Sequence, residues 1–347
     1  MKQRDYFFDN AKFILIFFVV FGHLIQSFIH ENEIVYTLYK VIYTFHMPAF
    51  ILVSGFFARG FYQKGYIKKI AKKLILPYLI FQLIYSIFYY FLYNESSIAI
   101  DPLNPHWSLW FLISLFFWHI MLFGFSRLKP AVGLSLALAI GLGVGYFDWI
   151  SNYLSLSRTF VFFPMFLLGF YLTKENVQML TRPSFRIIAV IPFVASFIFY
   201  SSFPDISYQW LFGSKSYSAL ETTETIGMMI RLGLYILSTI MVFSFLAIVP
   251  KSKFFFTSLG RNTLYVYLLH GFFIRIFRES EVPHYLSYTE NIVLLAALSF
   301  LLTLLLSSKL ATAVAQPFIE LKVTLLTKYK KRSSSFSRPT KKRRLEN

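Results

Sequence analysis

Two histidines, a lysine and an aspartate in the first fifty residues are the types that proton-transfer chemistry uses. His23 follows the unbroken run FILIFFVVFG, which is entered by Asp9-Asn10-Ala11-Lys12. An imidazole exchanges its proton near neutral pH, so it suits a general base or a proton relay. A helix starting at Ala11 carries His23 about 18 Å along its axis. That is near the middle of a hydrocarbon core of about 30 Å. An ionisable group at that depth needs a partner, a water-filled cavity or a task; the alternative is a hydrogen bond across a helix interface. His46 lies about ten residues into the second run, in Phe45-His46-Met47-Pro48. Pro48 removes a backbone donor and frees a carbonyl one turn back, so this turn is expected to kink and face a cavity. Two midplane histidines on consecutive antiparallel helices could share one site, one as base and the other orienting it or binding substrate. His119, in FFWHIM, has no polar neighbour in sequence and reads as structural. His270, beside Gly271, stays open between the two roles.

Asp9 and Lys12 are three positions apart at a helix start, so they share a face and can pair. Lys12 could instead meet an anionic ligand at the cytoplasmic mouth. The next basic cluster, Arg59, Lys64, Lys68, Lys69, Lys72 and Lys73, contains no acid. Such a cluster commonly only sets topology, yet it also suits a phosphate-rich ligand.

The elements that must position these groups follow from composition. Hydrophobic residues are 56% of the 347, charged residues only 14%, and 43 residues are Phe. A soluble core could not absorb that apolar content with so few charges to cover it, so the chain is expected to be an all-α polytopic membrane protein. The net charge of +18 would suggest nucleic acid in a soluble domain, but here the positions of the charges matter more than their sum. Without cysteine there is no disulfide, thiolate catalysis or protein thioester. The first run lacks a small-residue cleavage site and is expected to be a retained helix.

Ten spans are predicted, at 11–29, 36–57, 73–93, 107–126, 130–147, 158–173, 185–203, 226–248, 261–278 and 291–315. Basic links alternate with acidic or mixed ones, which places even-numbered links and both termini in the cytoplasm. Residues 1–321 form one membrane-embedded domain. Residues 322–347 form a basic tail with ten Lys or Arg, expected to be disordered and drawn to anionic lipid heads. Neither a metal-ligand spacing nor a nucleotide loop is present.

The stretches DNAKFILIFFVVFGH (9–23), FHMPAFILVSGFF (45–57), KKLILPY (72–78), LWFL (109–112) and LGRNTLYVYLLH (259–270) resemble the acyltransferase-3 integral membrane O-acyltransferases. They are most similar to the fucose 4-O-acetylase-like subgroup. The family pattern of a basic residue, ten intervening positions and a histidine is met by Lys12 and His23, with Lys where Arg is commoner. The resemblance covers spans one to four and nine; spans five to eight and the tail match only in hydrophobicity, so it is silent on acceptor choice.

What the resemblance implies is acyl transfer in the bacterial plasma membrane. The donor would be acetyl-CoA, a co-substrate and not a tightly bound cofactor. The acceptor would be a cell-surface or lipid-linked glycan, with a homo-oligomer or a glycan synthesis complex as possible assemblies. His23 and His46 would be catalytic. Lys12, Lys69, Lys73 and Arg261 would face the donor, with Asp9, Ser54, Trp110 and His270 in support. The oxyanion would fall to His46, Ser54 or Arg261, which the sequence does not rank. The competing functions are a glycan exporter or flippase, with histidines along its path, and a non-catalytic partner in a glycan synthase complex.

Overall fold

The computed structural model describes residues 6–286 and 291–322; the tail expected to be disordered lies outside the described residues from 323 onward. Every regular element among the described residues is helical. In chain order they are α1 (Tyr6–Ile25), α2 (Glu33–Phe56), α3 (Tyr66–Leu92), α4 (Trp110–Phe125), α5 (Pro130–Gly143), α6 (Leu156–Tyr171) and α7 (Lys174–Leu180). There follow α8 (Pro183–Ile188), α9 (Ile191–Ser202), α10 (Glu224–Ile248), α11 (Thr263–Glu279), α12 (Val282–Tyr285), α13 (Ile292–Ser307) and α14 (Lys309–Glu320).

A helix lies in each segment expected to span, but their lengths differ. Six helical segments are long and apolar enough to cross a membrane, and a seventh arises if α13 and α14, bent by 62° at their junction, count as one. The helices Trp110–Phe125 and Pro130–Tyr146 are apolar but shorter. This is a multi-pass membrane protein. The expected boundaries of the first span move: α1 begins at Tyr6 and ends at Ile25, so His23 sits in its last turn and not at its midpoint. His46, by contrast, is near the middle of α2.

Small residues let backbones meet where side-chain packing alone would hold them apart. At Gly55 of α2 an added Cβ would lie 2.0 Å from the Phe166 carbonyl oxygen, and at Gly169 of α6 it would lie 1.9 Å from that of Leu52. The two helices therefore touch backbone to backbone. They run the same way into this crossing, which brings His46 on α2 and Arg158 on α6 to line one cavity above it.

Asn10, fully buried one residue after Asp9, ties α1 to the segment before α11. Its amide donates to the carbonyls of Pro250 and Ser252, each at 2.8 Å, and its oxygen accepts from Thr257 Oγ1 at 2.6 Å. The link between α3 and α4 is fixed in a similar way. Gln82 of α3 donates to the carbonyls of Asp101 (2.6 Å) and Asn104 (3.0 Å) and accepts from the His106 backbone (3.0 Å). Tyr78 donates to Pro102 O at 2.6 Å, and Ser86 Oγ lies 2.8 Å from His106 Nε2. One polar stripe of α3 thus anchors the loop that ends at Trp107.

Candidate active site

The last turn of α1 presents His23 to residues from three other parts of the chain. Its Nδ1 is 3.0 Å from the Tyr43 hydroxyl of α2. Its ring centroid is 4.3 Å from Trp107 and 5.4 Å from His270 of α11, the two imidazoles inclined by only 23°. Gly22 makes room for this arrangement: a Cβ there would come within 3.0 Å of the Tyr43 ring.

Trp107 is braced by two arginines from α11. The guanidinium carbons of Arg275 and Arg278 lie 4.9 Å and 5.1 Å from its ring. Arg278 also donates to the His23 carbonyl and to Gln26 Oε1, each at 2.7 Å, and so closes the end of α1. Arg275 donates to the Tyr93 hydroxyl at 3.3 Å. Among the described residues no carboxylate pairs with either arginine.

His23, Tyr43 and Trp107 line a cavity of about 170 Å³ together with His46, Trp110 and Arg158. That is far above the ~10–15 Å³ that a single water requires. His46 Nδ1 lies 2.8 Å from the Ile42 carbonyl. A carbonyl only accepts, so Nδ1 carries the hydrogen and neutral His46 has its lone pair on Nε2. His270 follows the same rule, with Nδ1 donating to Val266 O at 3.1 Å and a buried Nε2 that has no partner. It is fully buried and does not line the cavity; the approach at Gly271 is made by the Tyr85 hydroxyl, which donates to Leu268 O at 3.0 Å.

A second, mostly apolar cavity of about 270 Å³ lies toward the start of α1 and is lined by Lys12, Ser54 and Leu74. Val19, Met47 and Tyr267 line both cavities. The two spaces share these three side chains as a common wall, and their linings include α1 residues from Lys12 to His23. Lys12 pairs with Asp9 at 3.1 Å and lies 5.8 Å from the centroid of the Phe57 ring.

A family model described as an acyltransferase domain, Acyl_transf_3, matches residues 5–311. The chain belongs to that family. Similar curated proteins include the nodulation protein NolL of Mesorhizobium japonicum, 29% identical over 154 residues, 40% of this chain and 41% of that protein. Nodulation protein NolL of Sinorhizobium fredii is 47% identical over 62 residues, 17% of each chain. The aligned segments thus span less than half of either relative. No solved structure matches. With its apolar helices, the chain is a multi-pass membrane member of that family.

The residues expected from sequence fall into three places. His23, His46 and Trp110 line the first cavity, and His270 stacks behind His23. Lys12 and Ser54 line the second, with Asp9 paired to Lys12. Ser54 spends its hydroxyl hydrogen on the Phe50 carbonyl at 2.9 Å, and so does not stand at His23 as an oxyanion donor. Lys69, Lys73 and Arg261 are exposed and line neither cavity, although Leu74 and Thr263, close to them in sequence, line the second. His119 does have a polar neighbour: Tyr66 of α3 brings its hydroxyl 3.0 Å from His119 Nδ1, a contact that sequence order hides.

Tyr43, Trp107, Arg158, Arg275 and Arg278 are the residues that sequence reasoning missed. Tyr43 precedes His46 by three positions and so shares its helix face. The arginines fall inside apolar segments, where a charge is by default functional.

Proposed function

We propose that this membrane protein is an O-acetyltransferase of the fucose 4-O-acetylase-like kind. It transfers an acetyl group from acetyl-CoA to a hydroxyl of a cell-surface polysaccharide or its lipid-linked precursor. The observation that carries the reading is the placement of His23: hydrogen-bonded to Tyr43 in a cavity whose wall is shared with a second cavity reaching Lys12.

In the tautomer that donates Nδ1–H to Tyr43, His23 keeps its lone pair on Nε2 and acts as general base. It takes the proton of the sugar hydroxyl as that oxygen bonds to the thioester carbonyl carbon. The tetrahedral intermediate collapses with loss of the C–S bond, and the thiolate leaves with the proton from the imidazolium. Trp107 and Trp110 offer apolar faces to a sugar ring. Eleven residues of helix separate Lys12 from His23, roughly 16 Å, an interval that an extended CoA arm spans with its phosphates near Lys12 and the basic cluster that includes Lys69 and Lys73.

The fold is read as ten spans with both termini cytoplasmic in a bacterial plasma membrane, supported by the alternation of basic links. The Lys12 end then faces the donor and the Trp107 end faces the glycan. An outside-active reporter fused near Asn94 is expected to signal, and one at the C-terminus to stay silent; signal at the tail overturns this orientation. Membranes bearing the protein, given labelled acetyl-CoA and glycan, are expected to place base-labile label on the glycan. No label with inserted protein present overturns the enzymatic reading.

A further inference from the structure

Acyl transfer by His23 leaves one requirement unmet, a donor for the oxygen that becomes negative when the carbonyl is attacked. This inference rests on the acyltransfer reading above. Among the polar side chains lining the His23 cavity, most are already committed. Tyr43 is bonded to His23, and Tyr267 donates to the Ser108 carbonyl. Gln26 commits its oxygen to Arg278 and keeps only neutral amide donors. His46 has its one hydrogen on Ile42 O, so its other nitrogen offers a lone pair and no donor.

Arg158 differs from all of these. Through Nε it donates to the Phe212 carbonyl at 3.3 Å, and its guanidinium carbon lies 5.2 Å from the centroid of the Trp110 ring. Among the described residues neither of its terminal amino groups has a hydrogen bond, and no carboxylate pairs with it. It is the one permanently charged side chain in the cavity lining. The residue is held along one edge and across one face, its terminal amino groups unbonded, in the wall of the cavity that His23 also lines. A half-buried cation held in place with donors to spare is an arrangement that stabilises developing negative charge.

We infer that Arg158 is the oxyanion-stabilising catalytic residue. When the acceptor oxygen, losing its proton to His23 Nε2, bonds to the carbonyl carbon, the C=O π pair moves onto oxygen. The terminal N–H groups of Arg158 donate to that oxygen. The pair then returns to re-form the carbonyl, the C–S bond breaks, and the CoA thiolate takes the proton back from His23. Nothing is oxidised or reduced, and no further reactant enters. The positive charge stays on Arg158 throughout.

The test uses full-length protein in membranes, with Arg158→Lys and Arg158→Gln. Acetyl-CoA binding to each variant is measured first, and wild-type affinity certifies an intact fold. Two rates follow: acetyl transfer to the glycan, and acetyl-CoA hydrolysis with water as acceptor. The expected result is a fall of ~10²–10³ in both rates for Arg158→Gln, the usual effect of losing an oxyanion donor. Arg158→Lys is expected to fall less. Added guanidinium ion is expected to restore part of the rate in Arg158→Gln, which a merely structural role would not allow. A loss confined to glycan transfer, with hydrolysis intact, would make Arg158 an anchor for an anionic acceptor and overturn the inference. Unchanged rates in both reactions would also overturn it. If binding is weakened in both variants, the hydrolysis rate of Arg158→Gln at saturating acetyl-CoA, with and without added guanidinium ion, decides: no recovery by guanidinium overturns the inference. Failure of the wild type itself to transfer acetyl would instead refute the parent reading.

Discussion

His23 and Tyr43, twenty positions apart on two helices, meet at 3.0 Å between imidazole Nδ1 and phenol oxygen. The contact is internal to the first helical hairpin, yet a loop sixty residues later covers it with Trp107 and α11 backs it with His270. A base held by one ring nitrogen leaves the other for the substrate, which is the logic of an oriented catalytic histidine. Tyr43→Phe removes the orienting oxygen and little volume. A typical hydrogen bond contributes a net ~0.5–1.5 kcal/mol, so the turnover rate is expected to fall up to about tenfold, with the KM for acetyl-CoA unchanged. Steady-state rates over a donor series check this, and an unaltered rate would remove Tyr43 from the site.

The ion pair of Lys12 with Asp9 at 3.1 Å separates two roles by mutation. If Lys12 meets the donor phosphates, Lys12→Ala raises the KM for acetyl-CoA about tenfold, the order of one charge-assisted contact. Turnover should change less, because a remote phosphate contact is mostly uniform binding. Lys12→Arg should be tolerated better. A purely structural pair predicts equal harm from Asp9→Ala and Lys12→Ala and no further harm from both together.

Where α2 crosses α6, no side chain can be accommodated. Gly55→Ala and Gly169→Ala each drive a methyl group to within about 2 Å of a carbonyl oxygen that belongs to the other helix. Overpacking commonly costs ~1–3 kcal/mol, and here backbone must move. Both variants are expected to lose most of their folded protein by detergent size exclusion. Wild-type recovery of either would contradict the crossing.

The loop that carries Trp107 should respond to acid. Burial pushes the His106 imidazole below its ordinary value, with Glu95 opposing and Arg275 adding to the shift. The folded state therefore favours the neutral ring. That stabilisation is present above the unfolded value near pH 6.5 and is lost as pH falls through the lowered folded value. Thermal stability followed from pH 7.5 downward should drop more steeply in wild type than in His106→Asn. Parallel curves would exclude His106 from the response.

The sequence reveals the helical architecture because apolar runs of span length are its dominant pattern, and every run expected to cross contains a helix. Depth along a helix is less legible. Asp9 and Lys12 mark an entry to the apolar run, but α1 already begins at Tyr6, and this shifts His23 by a turn or more toward the far end. His46 was legible because Pro48 and its apolar context mark it. Trp107 and Arg158 were not, since their place at the His23 cavity depends on a loop tethered by Gln82 and on two glycines that let α6 reach α2. Ser54 looked available as a donor; only the geometry reveals the local bond to Phe50 O that occupies it.

The central claim is that His23 is the base for acyl transfer. The most direct test compares wild type with His23→Ala in the same membranes, matched for inserted protein and for acetyl-CoA binding, by the initial rate of labelled acetyl transfer to glycan. The account predicts equal insertion, equal donor binding and a rate lower by ~10²–10⁴, the usual cost of losing a general base. A variant that still transfers acetyl within a few-fold of the wild-type rate would contradict it.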